Sequence, residues 1–134
     1  MADKNKWEKK NIIIKDLSLW DENPRFPQEY FRKTEAELAN YFLSRKDLKI
    51  SEFAKEVVDD FDLPQVERIV VLRLGGKNIV LEGNRRLVVY KLLINPKLIK
   101  KSSSFMHRFE ELKKHINIPN NFTLEVNLTT NKDD

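Results

Sequence analysis

Arg85 and Arg86 are the residues of this chain whose type and placement most call for a chemical explanation. They follow a glycine, Gly83, and open a largely apolar run, Leu87-Val88-Val89-Tyr90-Lys91-Leu92-Leu93, that reads as a helix. The first turn of a helix exposes free N–H groups and a partial positive charge, so an acid stabilises it and an arginine does not. Two guanidinium groups there concentrate positive charge and hydrogen-bond donors at one point. Such a point suits a phosphate, which accepts backbone N–H bonds and bidentate arginine bonds together. The alternative is that both arginines are solvated, or pair with acids such as Glu82 or Asp21. Asn84 reads as the N-cap of the helix, accepting from an N–H two or three residues on.

The elements that position this turn follow from periodicity and punctuation. Ile12-Ile13-Ile14 with Leu17 and Leu19 make a short first strand and its exit, and Asp21-Glu22-Asn23-Pro24 is a turn. Thr34-Glu35-Ala36-Glu37 reads as a capping box that opens a helix through about Ser44, with Leu38, Tyr41 and Phe42 on its apolar face. Residues 45–49 break it. Ser51 can cap a second helix, in which Phe53, Ala54, Val57, Val58 and Phe61 keep helical spacing until Leu63-Pro64. Residues 68–74 and 78–82 are strands around Gly75-Gly76, a hairpin. The helix from Asn84 stops near Asn95-Pro96, a further helix covers about 105–116, and a last strand covers 122–128. The central strands form a hairpin rather than a βαβ run, so the expected class is α+β: a small mixed sheet with a central hairpin, packed by several helices.

Length and composition set the frame. The 134 residues imply one domain, read as a flexible N-terminus over 1–10, the domain over 11–128 and a polar tail over 129–134. At 40% hydrophobic and 34% charged, the chain can bury one modest core. Without cysteine there is no disulfide, no thiolate zinc site and no thiol chemistry. No apolar run approaches the length that spans a bilayer, and the lysine-rich start lacks the apolar core of a signal peptide, so no membrane partner and a cytoplasmic location are expected. The net charge of +4 is unevenly spread. Residues 84–101 hold six cations (Arg85, Arg86, Lys91, Lys97, Lys100, Lys101) and no acid, whereas residues 51–67 hold six acids against Lys55. The basic run reads either as a face for a polyanion or as a solvated lysine surface.

The strand, the turn Glu82-Gly83-Asn84-Arg85-Arg86-Leu87 and the following helix resemble the signature turn of the ParB/sulfiredoxin-like domain. Glu22-Asn23-Pro24-Arg25 is similar to that family's first box, and residues 50–61 followed by 70–74 resemble its helix and strand segment. The resemblance spans roughly residues 11–127. It implies a nucleotide-binding domain of a DNA-associated protein, holding a nucleoside triphosphate, with Mg²⁺, at Gly83, Asn84, Arg85 and Arg86, with hydrolysis slow or absent. It also brings Arg25 towards the same pocket, with Asn23 shaping its turn. Partition proteins of the family usually carry an acid where this chain has Asn84, and a further arginine where it has Val88. Sulfiredoxins carry a reactive cysteine in this turn. An amide is neither nucleophile nor general base at neutral pH, so sulfinic-acid reduction is excluded on residues alone.

Two other readings stand beside nucleotide binding. In a ParB-like nuclease, or a component of DNA modification or phage defence, Glu82 would be the catalytic carboxylate, holding Mg²⁺ through water or orienting an attacking water. The other is a non-catalytic adaptor that binds DNA or protein through the basic face. Glu82 can equally pair with Arg85 or Arg86. Phe26, Tyr30 and Phe31 offer either core or a stacking platform for a base. His107 and His115, eight residues apart on one expected helix, lack the i, i+4 spacing of zinc ligands, and no metal site is expected. Trp7 and Trp20 read as packing residues near the first strand.

Overall fold

The computed structural model describes residues 7–21, 33–65, 67–99 and 103–130. The expectations placed on Glu22, Asn23, Pro24, Arg25, Phe26, Tyr30 and Phe31, and on Lys100 and Lys101, lie outside these residues. In chain order the elements are β1 (Glu8–Ile13), β2 (Leu17–Ser18), α1 (Glu35–Ser44), α2 (Ile50–Asp59), β3 (Val70–Leu74), β4 (Lys77–Glu82), α3 (Asn84–Ile94), α4 (Ser103–Lys113) and β5 (Thr123–Thr129). The protein is mixed α+β, with a five-stranded sheet and four helices among the described residues.

The strand order is β1-β5-β3-β4-β2. β1 runs antiparallel to β5, β5 parallel to β3, β3 antiparallel to β4, and β2 parallel to β4. The expected hairpin is β3–β4, turned by Gly75 and Gly76, both at positive φ. β1 and β2 are consecutive in the chain yet occupy opposite edges, joined only by a 3-10 turn, Ile14–Asp16. Five strands laid flat at about 4.8 Å spacing would put the edges roughly 19 Å apart. The step from Ile13 to Leu17 can reach only about 14 Å. The sheet therefore curls towards closure, and its concave side takes the helices.

Ile12, Val71, Val80, Leu124, Val126 and Leu128 of the sheet meet Leu38, Phe42, Ala54, Val57 and Phe109 of the helices in one core. α3 lies at its centre, with every residue from Leu87 to Leu93 buried. A helix apolar on all sides is stable only inside such a core. That requirement fixes where its first turn emerges.

Several expectations are met in detail and several are corrected. Thr34 and Glu37 form the capping box: the Glu37 N–H donates to Thr34 Oγ1 at 3.2 Å and the Thr34 N–H to Glu37 Oε1 at 2.9 Å. Ser51 does not cap α2. The helix starts two residues earlier than a Ser51 cap would set it, with Ile50 drawn into the core, and Lys49 takes the cap position in the left-handed region. Ser51 Oγ instead accepts from Arg108 Nε at 3.2 Å. The strand at the N-terminus begins at Glu8, inside the segment expected to be free, and β5 continues to Thr129. Trp7 is 48% exposed rather than packed, because residues 8–11 of edge strand β1 extend beyond the helices and leave it no layer to enter. His115 lies past the end of α4, so the two histidines do not share a helix. Among the described residues no helix is long and apolar enough to cross a membrane.

Candidate functional site

The turn between β4 and α3 begins at Gly83, whose φ of 106° favours glycine. A Cβ here would meet Cγ1 and Cγ2 of Ile69 at 3.3 Å. Gly83 is therefore required by its dihedral and by close packing on the buried Ile69. Its bare face looks inward, onto Ile69.

Gly83, not Asn84, is the N-cap, and among the described residues no side chain caps the helix. Asn84 is the first helical residue and is 7% exposed. Its Nδ2 donates to the Val80 carbonyl at 2.8 Å, and its Oδ1 accepts from the Trp20 N–H at 3.2 Å. The expected cap is thus a bridge between β4, α3 and the segment that leaves β2. With both ends engaged, the Asn84 side chain is tied into the fold. It does hold Trp20, and Asp21 after it, beside the turn.

The first i→i−4 bond of α3 runs from Leu87 N–H to the Gly83 carbonyl at 3.0 Å. Among the described residues nothing accepts from the N–H groups of Asn84, Arg85 and Arg86, and the first turn holds no acid. These donors are what an anion would use.

The two arginines diverge in role. Arg85 is exposed and stacks on Phe53 of α2, its guanidinium carbon 4.1 Å from the ring centroid. Among the described residues it makes no ion pair. Arg86 also faces that ring, at 5.3 Å, but its Nε donates to Glu67 Oε2 at 3.0 Å. Tyr90 lies one turn on; burial raises its phenol above its ordinary value, and the positive charge of Arg86 partly offsets this. Arg86 is thus largely committed within the protein, while Arg85 is held in place by an aromatic face with its charge unspent. The acid partner is Glu67 rather than Glu82 or Asp21. Glu82 is exposed at the end of β4 and makes no ion pair among the described residues.

Among the described residues the basic run does not form a stripe. Lys91 is 8% exposed, and its Nζ reaches Glu35 Oε2 at 2.9 Å and the Ile14 carbonyl at 3.4 Å. It faces inward because α3 is enclosed on every side. Lys97 follows the far end of α3, roughly 16 Å along an 11-residue helix from the arginines. Among the described residues the cationic focus is the α3 start alone, and no group of three His, Cys, Asp or Glu is placed to hold a metal.

Phe53, Glu67, Ile69 and Tyr90 were not foreseen as parts of this site. Phe53 and Tyr90 carried only the signal of apolar helix faces, and Glu67 is 19 residues from the arginine it binds. Comparison with protein-family models, with characterised proteins and with solved structures gave no match.

Proposed function

We propose that this protein is a ParB-like nucleotide-binding domain, and that the start of α3 holds the phosphates of a nucleoside triphosphate. One observation carries the reading: an uncapped, acid-free helix start beside an arginine pre-oriented on an aromatic ring and free of any described acid. The N–H groups of Asn84, Arg85 and Arg86 would bond phosphate oxygens, and Arg85 would supply the charge-assisted bonds. Arg86 assists by tilting from Glu67, so its contribution is reduced by the pair it must loosen. The order strand, Gly83, helix is the one the family resemblance implies, and it supports the reading. Mg²⁺ accompanying the triphosphate would be held through water by Glu82, which precedes the turn, and by Asp21, which follows Trp20. A domain of a DNA-associated protein fits this reading, but the inward Lys91 and the distant Lys97 favour a compact phosphate ligand over duplex DNA.

Titration with labelled CTP, ATP and GTP, and with labelled duplex, each at two salt concentrations, tests the proposal. Triphosphate binding that weakens mildly with salt, is lost in Arg85→Ala and is reduced less in Arg86→Ala is expected. Duplex affinity would instead fall with a slope near ~0.9 per neutralised phosphate. Salt-steep duplex binding with no triphosphate binding would refute the proposal.

A further inference from the structure

Beside Arg86 the protein opens into a cleft of about 450 Å³ between α2, α3 and the start of β5. Its walls are aromatic. Phe61 and Tyr90 lie with ring centroids 5.2 and 5.3 Å from that of Phe122, and Phe53 closes the end nearest Arg86. Its rim carries Glu56, Asp60 and Leu63, the last 63% exposed. Arg86 is already bonded to Glu67, so the rim presents net negative charge to an incoming group. A phosphate-bearing ligand would be repelled there. An aromatic group flanked by cations fits both the walls and the rim.

The chain carries such a group itself. Trp7 is 48% exposed, and Lys9 and Lys10 after it are exposed on β1. Residues 4–10 hold four lysines against Glu8. Among the described residues, then, Trp7 is an exposed apolar group in basic surroundings and Leu63 one in acidic surroundings. They cannot meet within one molecule. Glu8 pairs with Leu128 and Ile13 with Thr123, so Trp7 lies beyond one end of β5 and the cleft beside the other. Five strand residues separate them by about 17 Å.

We infer that Trp7 of one copy docks into the cleft of a second copy, with Lys9, two residues on and on the same face of the extended chain, towards Glu56 and Asp60. The two surfaces differ, so copies can join head-to-tail into chains or rings, and two copies that insert Trp7 into each other's cleft make a twofold pair. This inference is independent of the phosphate reading at α3.

Sedimentation of the full chain from micromolar to millimolar concentration tests it. The mass should rise with concentration, and fall back to monomer in high salt, which screens the charge pairing. Trp7→Ala and Asp60→Lys change exposed side chains, and circular dichroism will show that both variants fold. Each should be monomeric alone. Mixed, they should form a 1:1 dimer that grows no further, because one retains the tryptophan and the other the intact cleft. A monomer at every concentration, association that survives in either variant, or a mixture that stays monomeric would each overturn the inference.

Discussion

Replacing Asn84 by alanine tests whether the α3 start is held as described. The amide makes two bonds, to the Val80 carbonyl and from the Trp20 N–H, from a side chain that is almost fully buried. Losing both costs about 1 kcal/mol each, and leaving the half-buried Trp20 N–H without its acceptor adds about 1 kcal/mol more. Alanine returns roughly 0.6 kcal/mol as the better helix former. The net loss is about 2 kcal/mol. With an unfolding entropy near ~0.28 kcal/mol/K for a chain of this size, the melting temperature should fall by about 7 °C. Urea melts followed by circular dichroism give the free energy, and thermal scans give the shift. Asn84→Asp sharpens the test, because a carboxylate can accept from Trp20 but cannot donate to Val80. The variant should therefore lose the Val80 bond and keep Trp20 in place, a smaller loss than in Asn84→Ala. A wild-type melting temperature in Asn84→Ala, or a loss in Asn84→Asp as large as in Asn84→Ala, would show that the bridge is not what orders the turn.

Two further outcomes follow from the same region. Gly83→Ala should lose about 1.5–3 kcal/mol in denaturant melts, because the φ of 106° and the 3.3 Å approach to Ile69 oppose it together, and a neutral result would contradict both. Burial raises the Tyr90 phenol, so the folded state holds that proton more tightly than the unfolded chain; stability is complete below the unfolded value near 10 and is lost as pH rises through the folded one. Tyr90→Phe should remove this alkaline loss, and Arg86→Ala should push the phenol higher still in a spectrophotometric titration.

By itself the sequence determined the elements and the location of the unusual charge. The capping box at Thr34 and Glu37, the hairpin at Gly75-Gly76 and the helix after Gly83 are local, because capping, turn chemistry and periodicity act over a few residues. The conflict between Arg85-Arg86 and the helix dipole was legible for the same reason. Tertiary structure alone decided what each of those residues does. Asn84 turned from cap to bridge because the chain leaving β2 passes over the α3 start, a contact 64 residues apart. Arg86 was claimed by Glu67, and Arg85 was left to stack on Phe53, because α2 packs against α3 at that turn. Lys91 left the basic face because a helix buried on all sides has no outer surface to offer a cation. Side-chain partners of this kind are set by which elements the core brings together, and no short-range pattern encodes that choice.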